Sequence, residues 1–161
     1  TIPHSSAHLF SNVTVIAWVN YNGGETNPYI CFKHKGTAAI LSFLLYFSGT
    51  ADPGTAEFTL GFTDSTTAIV STGALIPKNS WAQIVGWYDG IAVSIYLNGN
   101  FITSTPATKA VSQANGVMYI GNDDAGTRTL NGLIGEVSIY NRALTPAEIL
   151  NHYIQTKWRY Q

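Results

Sequence analysis

Asn122-Asp123-Asp124 sets three oxygen-bearing side chains in a row. A hard cation such as calcium takes about six to eight oxygens in loose geometry, so a run of this type is a candidate ligand set. The same residues also serve as ordinary turn formers, and the run follows Tyr119-Ile120-Gly121, where a loop is expected. A second constellation lies in IVGWYDGIAVSIYLNGN, residues 84–100. Side chains alternate across a strand, so if Ile84 and Tyr88 face a core, Trp87 faces away from it. Gln83 and Tyr96 share that outward parity. Aromatic rings on an open face stack on the C–H patches of sugar rings while a nearby amide holds hydroxyls, which makes Trp87, Tyr96 and Gln83 a candidate glycan wall. Packing under a covering loop is the competing use of the same rings.

Catalytic groups are sparse. Glycoside hydrolysis needs two carboxylates about 5–9.5 Å apart, which on one strand means acids at i and i+2 or i+4. The glutamates are Glu25, Glu57, Glu136 and Glu148, and none has an acidic neighbour at that spacing. There is no Gly-x-Ser-x-Gly elbow and no glycine-rich phosphate loop. Cys31 lies in an apolar stretch where a thiol is ordinarily inert, and as the single cysteine it excludes an internal disulfide. His4 and His8 can share a metal only with a third ligand and sit in a polar lead-in. The chain reads as non-enzymatic.

These residues must be positioned by strands. Segments 13–20, 29–34, 39–47, 57–63 and 68–72 are rich in β-branched and aromatic residues and are separated by turn formers. Segments 80–88, 91–97, 101–104, 116–120 and 133–140 repeat the rhythm, with Asp89-Gly90 and Asn98-Gly99 as tight turns of a three-stranded meander. Residues 40–47 are apolar on both parities, which predicts a strand between two packed layers. One helix is signalled, by the capping box Thr145-Pro146-Ala147-Glu148 with Ile149, Leu150, Tyr153 and Ile154 on one side. The expected architecture is all-β: two antiparallel sheets face to face, with a short C-terminal helix over an edge or the convex side.

Composition restricts the partners. Charged residues make up 11% of the 161, against ~25% in an ordinary soluble domain, and the net charge is −1. Such a surface offers no field to draw nucleic acid or anionic lipid, and no apolar run spans a bilayer. The length suits a single domain, residues 1–161, and a start at Thr1 without a leader predicts a processed or excised one.

The ordered series TVIAWVN, SWAQIVGWYDG, VSIYLNG, MYIGN and NGLIGEVSIYNRALTPAEI resembles the laminin-G-like branch of the concanavalin-A-like jelly-roll superfamily, from about Ile2 to Tyr153. That resemblance implies two curved sheets and a non-catalytic recognition module on a secreted, cell-surface or virion-surface protein. It would bind a glycan or glycoprotein through the concave face and rim loops. The resemblance extends the calcium expectation, because similar pentraxin jelly rolls take calcium ligands from an acidic, amide-rich loop at the place of Asn122, Asp123 and Asp124. Glu136 is a further ligand where relatives often carry an acid. Trp18 and Trp81 fall at core positions. Relatives have one more strand before the segment that begins IPHSSAHLF, so its absence leaves an edge that another copy or a neighbouring domain can fill. A filament, virion or surface-layer assembly module is therefore the alternative reading.

Overall fold

β-Branched and aromatic residues on alternating parity build ten strands: β1 (Val13–Tyr21), β2 (Tyr29–Lys35), β3 (Thr37–Ser48), β4 (Gly54–Gly61), β5 (Thr67–Ile76), β6 (Trp81–Tyr88), β7 (Ala92–Leu97), β8 (Asn100–Pro106), β9 (Met118–Ile120) and β10 (Gly132–Tyr140). One helix follows, α1 (Pro146–Thr156). The computed structural model describes residues 1–6, 9–35, 37–49 and 53–161. His8, Gly36 and Asp52, a candidate ligand and two turn residues in the sequence reading, lie outside the described residues, as do the side chains of 35 and 37–40.

The strands form two five-stranded antiparallel sheets, ordered β10-β1-β6-β7-β8 and β5-β4-β3-β2-β9. The jelly-roll sandwich expected from the sequence is the fold observed. Asn98 and Gly99, both at positive φ (51° and 78°), turn β7 into β8, as an Asn-Gly pair permits. Inward residues of the first sheet (Val15, Ala17, Val19, Ile84, Val93, Ile95) meet Phe43, Leu45, Phe47, Phe58 and Leu60 of the second in one core. Each such fully buried aliphatic or aromatic side chain contributes roughly 1.5–3 kcal/mol. The sheets approach closely at Gly86, where an added Cβ would lie 2.2 Å from the Phe58 ring.

Two polar anchors sit within this packing. Lys33 is fully buried, and its Nζ donates to the Gly116 carbonyl at 3.0 Å and lies 3.2 Å from His4 Nδ1. Burial lowers its pKa. Thr14 Oγ1 accepts from Leu144 N at 3.0 Å and donates to the Arg142 carbonyl at 2.9 Å, so β1 holds the chain as it enters the helix.

The capping box forms as the sequence predicts: Thr145 Oγ1 accepts from Glu148 N, and the Glu148 carboxylate accepts from Thr145 N. α1 then lies on the outer face of the first sheet, not at an edge. A second apolar cluster there joins Ile16, Val85, Tyr96, Leu144 and Ile149. Trp18 stacks on Tyr153 and Tyr160 at centroid distances of 5.6 and 4.5 Å and donates its Nε1–H to Thr156 Oγ1. No helix among the described residues is long and apolar enough to cross a membrane.

Candidate functional site

Trp87 does point away from the core, but the face it points to is closed. Its indole N–H donates to the Leu144 carbonyl at 2.7 Å, and its ring meets Tyr96 edge-on at 6.4 Å. Tyr96 is 4% exposed and Gln83 0%. Gln83 Nε2 lies 3.0 Å from His152 Nδ1 of α1. The expected glycan wall of Trp87, Tyr96 and Gln83 is therefore corrected: these side chains are the seat of the helix. The physical reason is the helix's own apolar side, which has to be covered and finds the aromatic outer face of β1, β6 and β7.

The four expected calcium ligands do not converge. Glu136 projects from β10 beneath the helix, with Oε1 3.3 Å from His152 Nε2 and 2.9 Å from Ser138 Oγ. Asp124 instead meets His34, which lies on the outward side of the other sheet. Asn122 Oδ1 accepts from Asp123 N. Asp123 spends its carboxylate on its own loop, accepting from Thr127 N (2.6 Å), Thr127 Oγ1 (2.6 Å) and Arg128 N (3.2 Å). Burial opposes ionisation of Asp123, but those bonds outweigh it and hold its carboxyl below the usual carboxylate range. Among the described residues no three His, Cys, Asp or Glu side chains are grouped to hold a metal. Asn122 and Asp123 spend side-chain oxygens within the loop, while Asp124 turns to His34.

A partly exposed aromatic face occurs instead on the second sheet, across the sandwich from the helix. Register places Phe32 between Leu44 of β3 and Tyr119 of β9, and Tyr29 opposite Tyr46, all on the outward side. Phe32, itself only 4% exposed, is the floor on which the half-buried rings pack: Tyr119 stacks on it at 5.0 Å, His34 at 4.9 Å, and Tyr29 meets it edge-on at 5.0 Å. A pocket of about 240 Å³ opens there, lined by Tyr29, Phe32, His34, Leu41, Leu44, Asp123 and Asp124. Apolar residues on both parities of β3 suggested a second covering layer; the structure shows that outward Leu41 and Leu44 line this pocket. Parity in β2 held the missed signal, since Phe32 and His34 fall on one side and Cys31 and Lys33 on the other.

Polar groups fringe the wall. His34 Nε2 lies 3.3 Å from Asp124 Oδ2, and Asp124 is about half exposed. The Tyr46 hydroxyl donates to Glu57 Oε2; burial and this bond push its pKa up. The Tyr29 hydroxyl is raised by burial, with Arg128 opposing and Asp123 and Asp124 adding to the shift. Arg128 is held by the Thr26 carbonyl at 2.9 Å. The arrangement offers flat rings, carboxylate acceptors and an imidazole, and Glu57, Glu136 and Glu148 each have a hydrogen-bonding or ion-pair partner.

The sequence profile of the concanavalin A-like lectin/glucanases superfamily, laminin-G type, matches residues 1–150. No curated protein sequence matches the chain. Among solved structures, a Bacteroides ovatus protein assigned to carbohydrate binding superposes with a TM-score of 0.74 at 20% identity, over 93% of this chain and 43% of that one. The CBM40 of the Ruminococcus gnavus IT-sialidase, bound to α2,3-sialyllactose, gives 0.74 at 18% identity, over 91% and 84%. The heptameric SAP-like pentraxin of Limulus polyphemus gives 0.68 at 16%, over 93% and 78%. At these identities the likeness is one of fold, and the chain spans less than half of the Bacteroides protein.

Proposed function

The chain belongs to the concanavalin A-like lectin/glucanases superfamily, and from that membership and the partly exposed aromatic face we propose that it is a non-catalytic carbohydrate-binding module of a secreted or surface protein. One observation carries the reading. The aromatic surface around Phe32, Tyr29 and Tyr119, on the sheet opposite the helix, is also where carboxylates and an imidazole ring a pocket. Sugar rings need that pairing of a flat apolar wall with a few fixed polar groups. The CBM40 relative, bound to α2,3-sialyllactose, and the Bacteroides protein assigned to carbohydrate binding support it.

The ligand-contacting residues of this reading are Tyr29, Phe32, His34, Tyr119 and Asp124. A glycan array followed by titration of the strongest glycan into ¹⁵N-labelled protein tests it. Amide shifts should concentrate in β2, β9 and residues 122–128. Shifts confined to β6, β7 and α1 would move the site to the helix side and end this assignment.

A further inference from the structure

The pocket's walls also bear on which sugars it takes. Its volume of about 240 Å³ has room for one sugar ring. Two carboxylates, Asp123 and Asp124, line it, and a third, Glu57, lies on the same outward face beside Tyr46. Arg128, which is not among the lining residues, is held by the Thr26 carbonyl, and His34 Nε2 lies 3.3 Å from Asp124 Oδ2. Carboxylates accept strong, charge-assisted hydrogen bonds from ring hydroxyls. They repel a carboxylate or sulfate brought within a Debye length, about 8–10 Å at ordinary ionic strength.

We propose that this pocket holds one uncharged sugar ring at the end of a glycan and rejects rings bearing a carboxylate or sulfate, with Asp124 as the discriminating residue. The proposal rests on the carbohydrate reading above. It separates this chain from the CBM40 relative, whose bound sugar is sialylated. Asp123 is committed to its loop, so Asp124, half exposed and with only Oδ2 turned to His34, is the carboxylate better placed to meet ligand hydroxyls.

The test uses the full 161-residue protein on an array of neutral, sialylated, uronate-containing and sulfated glycans. Calorimetry then compares matched pairs: methyl glucoside with methyl glucuronide, methyl galactoside with methyl galacturonide, and lactose with 3′-sialyllactose. Neutral glycans should dominate the array, and the charged member of any binding pair should be weaker by at least tenfold. Asp124→Asn, with its circular dichroism unchanged, should narrow that ratio severalfold. A methyl glycoside of the terminal ring should compete within severalfold of the whole glycan. Charged members that bind as tightly as neutral ones, or a ratio indifferent to Asp124→Asn, overturn the selectivity while leaving carbohydrate binding intact. An array with no bound glycan overturns the carbohydrate reading itself.

Discussion

Trp87 shows how one side chain can obey strand parity and still mislead. It faces outward as its spacing dictates, yet its N–H is bound to Leu144 and its ring is walled by Tyr96. Trp87→Ala should therefore lower stability by about 2–3 kcal/mol in urea unfolding and leave glycan affinity unchanged. Tyr119→Ala should do the reverse. Losing one stacking ring should weaken the glycan by about three- to tenfold in calorimetry, with little change in the unfolding midpoint. Cys31 belongs to the same scale. Burial pushes its thiol up to about 12, so a thiol reagent at pH 8 should label it only as fast as the protein unfolds. Prompt labelling of folded protein would contradict its place in the core.

Helix α1 and the loop between β9 and β10 each lean on a carboxylate. Glu148 is held down to about 2 by the Arg142 guanidinium and by the Thr145 N–H. Its folded pKa lies below the unfolded one, so the cap's contribution is complete above the ordinary glutamate range of ~4.3 and disappears as pH falls through about 2. Amide exchange in the first turn of α1 should accelerate over that window in the wild type and stay flat in Glu148→Gln. The β9–β10 loop is tied by Asp123 to Thr127 and Arg128 without a metal. Titration with millimolar calcium should therefore give no heat, and chelator should not weaken glycan binding. The capping box was readable because it is local: four adjacent residues carry every bond in it. The calcium expectation came from residue type and loop position, and neither reveals that Asp123 accepts from donors four and five positions onward.

Across the whole molecule, the ten strands and two sheets were legible because alternation and turn residues act over short stretches. What covers each sheet was not legible. Both outer faces carry aromatics, Trp18, Trp87 and Tyr96 on one and Tyr29, Phe32 and Tyr119 on the other, so composition does not say which the helix will choose. The decision rests on contacts far apart in sequence, such as Thr14 with Leu144 and Trp18 with Thr156. The distance between the sheets is likewise a property of the assembled molecule. Gly86→Ala drives a methyl into the Phe58 ring and should cost about 1–3 kcal/mol, read as a lower denaturation midpoint.

Tyr160, wedged against Trp18 and Trp81, pins the last residues of the chain to the helix side of the sandwich. A bead, dye or fused protein joined after Gln161 will therefore sit behind the molecule and leave the sugar-facing surface turned outward. The same attachment made in the 122–128 loop would stand in front of it.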